Sequence, residues 1–157
     1  MIFVTVGTQL PFDRLVKTVD TWNAAKLVEL YLQVGPSEYK PQNAEFSVFL
    51  EPAKADQLFQ QAEIIISHAG MGSILTALRY QKPIIIMPRL AAQGEHRNDH
   101  QLATCKWLGN KSGIHVAQNE MELLAILSDY QSLKGGDGIS NFASPELIDN
   151  LKTFFSA

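Results

Sequence analysis

The sequence predicts a single α/β domain, a parallel sheet covered by helices. Three observations support this. Short apolar β-branched runs recur along the chain, segments of helical spacing separate them, and glycine or proline marks many of the joins. At 157 residues and 46% hydrophobic content, the chain has the size of one ordinary domain able to bury its own core.

The elements follow in order. Ile2 to Val6 is a β-branched run that stops at Gly7 and reads as the first strand. Phe12, Leu15, Val16, Val19 and Trp22 then share one helical face. Leu27 to Val34 is the next strand, closed by Gly35-Pro36. Ser37 to Glu45 reads as a polar loop, Phe46 to Leu50 as a strand and Lys54 to Gln61 as a short helix. Glu63 to Ser67 is a strand that runs through the turn His68-Ala-Gly-Met-Gly72 into a helix over Ser73 to Tyr80. Pro83 to Met87 is a buried strand, followed by a polar loop from Arg89 and a helix over Asp99 to Leu108. A strand over Gly113 to Val116 and an Asn-capped helix over Asn119 to Leu127 complete the alternation. Residues 131–144 read as a loop before a closing helix from Pro145 to Phe155, so the whole of 1–157 is expected to form one domain.

Several classes are disfavoured at once. A formal net charge of -3 offers no general attraction for a polyanion, so nucleic acid is not an expected partner. The single cysteine, Cys105, cannot form an internal disulfide. The N-terminus lacks a basic stretch before its apolar run and reads as a strand, and no apolar run approaches the roughly 20 residues of a membrane helix. The expectation is a soluble, cytoplasmic domain.

In open parallel sheets, ligands bind beyond the carboxyl ends of the strands. Three loops qualify: Gly7 to Pro11, Ser67 to Ser73, and Pro88 to Gln101. In the second, Gly70 and Gly72 permit positive φ or close approach of a ligand to the backbone, and Ser73 stands where a helix cap is expected. A helix N-terminus presents free N–H groups and the positive end of its dipole, which suits a phosphate. His68 could donate a hydrogen bond there, with a charge adjustable near neutrality. The same residues also serve a plain strand-to-helix turn, and no GxGxxG or Walker motif decides between the two. The third loop, with Glu95, His96, Asp99, His100 and Gln101, reads as a solvated charged loop or as a contact surface for a polyhydroxyl ligand. His96 and His100 could pair on a metal, but no HExxH frames them, and no metal is expected.

Together, Ser67-His-Ala-Gly-Met-Gly-Ser-Ile-Leu-Thr-Ala-Leu78, Lys82-Pro-Ile-Ile-Ile-Met-Pro88, Asn98-Asp-His-Gln101 and the opening Phe3-Val-Thr-Val-Gly-Thr8 with Phe12-Asp13 resemble the C-terminal domain of glycosyltransferase family 28. The resemblance covers Met1 to about Leu127. Within that family the chain resembles the stand-alone subunits of dolichol-linked oligosaccharide synthesis and of bacterial exopolysaccharide synthesis.

This resemblance implies a Rossmann-like domain equivalent to the donor-binding half of a GT-B glycosyltransferase. By position, it implies that His68, Ala69, Gly70, Gly72 and Ser73 meet the diphosphate of a UDP-sugar, that Gly7 and Thr8 line the same cleft, and that Asp99, His100 and Gln101 contact the sugar. Thr76 stands where the wider superfamily often has a ribose-gripping glutamate. Such enzymes generally use no metal in the diphosphate site, and none is implied here; no other cofactor is expected. His68 is expected to aid departure of the nucleotide, with Glu95 and His96 the local candidates for the acceptor's base. The resemblance further implies a separate, membrane-anchored subunit that binds a lipid-linked saccharide and holds this chain at the inner face of the membrane. A non-catalytic regulatory or scaffold subunit is the alternative.

Overall fold

A computed structural model describes residues 1–138 together with 149, 150 and 153. The β-branched runs become six strands: β1 (Ile2–Thr5), β2 (Leu30–Gln33), β3 (Glu45–Ser47), β4 (Ile64–His68), β5 (Ile84–Met87) and β6 (Ile114–Val116). They form one parallel sheet in the order β3-β2-β1-β4-β5-β6, the doubly wound arrangement in which successive crossovers change direction at β1. The helices are α1 (Asp13–Trp22), α2 (Pro52–Gln61), α3 (Met71–Arg79), α4 (His100–Leu108) and α5 (Glu120–Leu127).

Strands buried on both faces need no polar side, which is why β1 and β5 read as continuous apolar runs. Alternation then divides their side chains. Ile2, Val4, Ile66, Ile85 and Met87 pack with Leu15, Val16 and Val19 of α1 and Leu123 and Leu127 of α5. Phe3, Ile65, Ile84 and Ile86 pack with Leu58 and Phe59 of α2, Ile74 and Ala77 of α3, and Cys105 and Leu108 of α4. Each fully buried chain of this size contributes about 1.5–3 kcal/mol of hydrophobic stabilisation, so the sheet's register is set from both faces.

Local chemistry shifts several boundaries. The strand expected from Leu27 starts at Leu30, and Leu27 is 87% exposed. The Asn23 amide holds both the N–H and the carbonyl of Val28, and Lys26 takes a positive φ of 53°, so the chain is still turning there. Helix α2 begins at Pro52, whose missing N–H costs nothing in the first turn, and not at Lys54. Asn119 caps α5 as read, accepting from the Glu122 N–H at 2.9 Å. The loop after β2 is organised by the buried Asp20 carboxylate, which accepts from Tyr39 Oη at 2.6 Å and from the N–H groups of Gln42 and Asn43 at 3.0 and 2.8 Å.

Residues Tyr130–Ser132 form a 3-10 turn at the start of the segment expected to be loop. The closing helix expected over 145–155 lies almost wholly outside the described residues. Among the described residues, no helix is long and apolar enough to cross a membrane.

Candidate functional site

A cleft of about 630 Å³ opens beyond the carboxyl ends of β1, β4 and β5. Its lining includes Gly7, Thr8 and Gln9 after β1; His68, Gly72, Ser73 and Thr76 from β4 and α3; and Arg89, His96 and Gln101 from the loop after β5 and the start of α4. Among the described residues, no carboxylate lines it. Its titratable side chains are two imidazoles and a guanidinium, a balance that favours an anionic guest.

His68 ends β4, half-buried, with its Nδ1 3.2 Å from Ser67 Oγ and 3.5 Å from the Thr5 carbonyl. Burial, reinforced by the positive charge of Arg89, pushes its pKa down to about 4, against a smaller upward pull from the Thr5 carbonyl. The imidazole is therefore neutral at pH 7, and its charge is not adjustable near neutrality as its ordinary value suggests.

The glycines around it have two separate reasons to be glycine. Gly7 has a φ of +76°, and a Cβ there would lie 3.1 Å from His68 Cε1. Gly70 has an extended backbone with φ -97°, so positive φ is not its reason; a Cβ on Gly70 would collide with the His68 ring. Gly72 faces open space.

Helix α3 starts at Met71, two residues earlier than the sequence suggested, with Gly70 in the cap position and no side-chain cap. Ser73 thus lies in the first turn and is not the N-cap. The Ile74 N–H makes the bond to the Gly70 carbonyl at 3.2 Å, so the N–H groups of Met71, Gly72 and Ser73 precede the helical ladder and have no carbonyl to meet within it. Gly72 and Ser73 both line the cleft. The arrangement can hold an anion without any reorganisation of the backbone.

Two carboxamides brace the walls. Gln33 Nε2 donates to the carbonyls of Gly7 and Val48, both at 2.9 Å, while its Oε1 accepts from Thr5 Oγ1 at 2.7 Å. Gln101 Oε1 accepts from the N–H groups of Ala69 at 3.1 Å and Arg89 at 3.0 Å, joining the exits of β4 and β5.

The structure brings together most of the residues singled out by sequence. Gly7, Thr8, His68, Gly72, Ser73, Thr76, His96 and Gln101 line one cleft, with Ala69 and Gly70 behind His68. Glu95, Asp99 and His100 are not in the lining. Glu95 is buried and closed by Arg14, whose Nε and Nη2 donate to its two oxygens at 2.8 and 3.0 Å, and it also accepts from the Leu90 N–H at 2.9 Å. Asp99 precedes α4 and accepts from the Ala91 N–H at 3.0 Å; His100 is exposed in the first turn of α4. The Thr76 hydroxyl donates to the Gly72 carbonyl at 2.7 Å. Arg89, Gln9 and Phe59 also line the cleft and were not foreseen as site residues. The signal for Arg89 was its place, just past the β5 run, where open sheets carry their ligands.

The pattern of the glycosyltransferase family 28 C-terminal domain matches residues 1–130. UDP-N-acetylglucosamine transferase subunit ALG13 of Mus musculus is 32% identical over an alignment of 117 residues that covers 68% of this chain and 10% of that protein. The chain therefore spans about a tenth of the length of this curated relative. Among solved structures, the NMR structure of ALG13 superposes with a TM-score of 0.60 at 22% identity, covering 96% of this chain and 93% of that one. MurG of Acinetobacter baumannii superposes with a TM-score of 0.57 at 16% identity, over 96% of this chain and 49% of that one. The architecture is that of one half of a GT-B glycosyltransferase, and with the family pattern running through every strand and helix that builds the cleft, the chain belongs to the family of the glycosyltransferase family 28 C-terminal domain.

Proposed function

We propose that this chain is the nucleotide-sugar-binding, catalytic subunit of a two-component glycosyltransferase. It transfers a sugar from a UDP-sugar to a polyprenyl-diphosphate-linked saccharide in polysaccharide or exopolysaccharide synthesis. The observation that carries this reading is the first turn of α3, where Gly72 and Ser73, whose N–H groups precede the helical ladder, line a cleft to which no carboxylate among the described residues contributes. The relative named above is a UDP-N-acetylglucosamine transferase subunit, which supports both the UDP-sugar and the need for a partner.

The chemistry follows from the geometry. As the glycosidic bond to the diphosphate breaks, negative charge develops on the leaving phosphate oxygen, and fixed N–H dipoles stabilise it without rearranging. His68, neutral at pH 7, contributes as a hydrogen-bonding imidazole. Thr8, Ser73 and Gln101 supply polar contacts, whereas Asp99 and His100, at the head of α4, lie outside the lining of the cleft. His96 is the local candidate for the acceptor's base, since Arg14 holds Glu95. Charge stabilisation rests on these groups with no metal. A membrane-anchored partner supplies the acceptor wall and keeps the complex at the inner face of the membrane.

One observation favours a second reading, a non-catalytic regulatory or scaffold subunit. The Thr76 hydroxyl proton is committed to Gly72 and Glu95 to Arg14, so no carboxylate in the cleft grips a ribose diol. Calorimetry with UDP-glucose, UDP-galactose and UDP-N-acetylglucosamine separates the two. Binding of at least one, with sugar transfer appearing only when the partner is added, supports the catalytic reading. Absence of binding to all three leaves the scaffold, and full transfer by the isolated chain overturns the two-component reading.

A further inference from the structure

Two arginines lie near the Phe12 ring in charge environments that differ sharply. Arg14 faces two acids, Glu95 at 2.8 Å and Glu120 at 3.4 Å. Arg89 is only 3% exposed, yet among the described residues it has no salt bridge. Its Nη1 donates to the Leu10 carbonyl at 3.0 Å and to that of Pro11 at 3.4 Å, and its Nη2 donates to the carbonyls of Leu10, at 2.9 Å, and of Val6. Its guanidinium carbon lies 5.2 Å from the centre of the Phe12 ring. Its buried Nε has no hydrogen-bond partner.

Carbonyl dipoles and an aromatic face are partial compensation for a buried cation, not a counter-charge. The acid whose charge reaches it, Glu95, already has its oxygens bonded to Arg14 and the Leu90 N–H. A protein that leaves a guanidinium unpaired at the wall of an open cleft has stored an attraction for an anion there. The same guanidinium ties down Val6, Leu10 and Pro11, the backbone that carries the Gly7, Thr8 and Gln9 wall.

We infer that Arg89 is a positioning residue of the cleft whose uncompensated charge is answered by the phosphates of the bound ligand. It fixes the loop after β1 through its fork of carbonyl bonds, and its charge acts on the anion from within the wall. The inference rests on reading the cleft as the seat of a nucleoside diphosphate. Burial lowers the Arg89 pKa only to about 10, so it remains a cation throughout the neutral range.

The test is calorimetric titration of UDP, inorganic diphosphate and uridine into wild type, Arg89→Lys and Arg89→Met. Arg89→Met should lose affinity for UDP and for diphosphate by about tenfold or more while uridine, which carries no charge, binds as before. Arg89→Lys keeps the charge but not the fork and should lose less. Equal diphosphate affinity in wild type and Arg89→Met, or uridine weakened by the same factor as UDP, overturns the inference. In wild type itself, the ¹⁵N–H resonance of Arg89 Nε should move on addition of diphosphate and stay in place with uridine; a stationary resonance in both cases also overturns it, with no variant needing to fold. If wild type binds neither UDP nor diphosphate, the reading of the cleft fails before the question of Arg89 arises.

Discussion

The ring of His68 occupies the space that a Cβ on Gly70 would need. Gly70→Ala must therefore displace the imidazole or the start of α3. The expected result is a loss of about 1–3 kcal/mol in stability from overpacking, measured by denaturant unfolding. Transfer in the reconstituted complex should fall by about 100-fold because the seat is misplaced. An Ala variant with wild-type turnover would show that the close packing of ring and turn is not needed.

Gly72 behaves oppositely. A Cβ there meets no atom within 4 Å, so Gly72→Val should fold with a stability within about 0.5 kcal/mol of wild type. Its branched side chain would stand where the proposed phosphate approaches the first turn of α3. Calorimetry should find UDP binding strongly weakened with Tm nearly unchanged; unchanged affinity would move the ligand away from that turn.

Glu95→Gln distinguishes a base from a brace. The Glu95 and Arg14 side chains are each 10% exposed, and neutralising one partner of such a buried pair costs about 3–5 kcal/mol. A large fall in Tm is expected, detectable by scanning calorimetry in the absence of any substrate. A variant with intact Tm and abolished turnover would return Glu95 to the chemistry.

The half-buried imidazole of His68 also gives stability a pH dependence. The native pKa of His68 is near 4, below the ordinary value of 6.5, so between those values the unfolded chain binds a proton that the native one refuses. The contribution is fully present above pH 6.5, falls by about 1.4 kcal/mol for each pH unit down to about 4, and then levels off. Urea unfolding at pH 7, 5.5 and 4.5 should show this slope, and His68→Gln should lack its share of it.

Much of this site is legible in the chain itself. The strands are readable because a parallel sheet buried on both faces demands unbroken apolar runs, and Ile64 to Ile66 and Ile84 to Ile86 have no other use. The turn from His68 to Ser73 is readable because two glycines and a hydroxyl at a strand end have few roles. What escaped depends on contacts distant in sequence. The reason for Gly70 is a ring two residues away in the chain but turned back onto it. The fate of Glu95 was set by Arg14, a partner 81 residues distant. Arg89 reads as the start of a polar loop, and only the fold shows that it reaches back to Leu10, 79 residues away, and lies in the wall of the cleft. Local pattern thus gave the positions of the backbone that lines the cleft, and tertiary pairing decided which charged side chains lie in its wall.

The two carboxamides that brace the cleft, Gln33 and Gln101, have a consequence for how its shape responds to solution conditions. Neither can gain or lose a proton in the working range, and neither relies on an ion pair that salt would screen. Gln33 thus holds the exits of β1 and β3, and Gln101 those of β4 and β5, through bonds that neither protons nor salt remove, while the imidazole beside them can change charge. Acid that charges the His68 imidazole can then change what the cleft attracts while these two carboxamide braces stay in place.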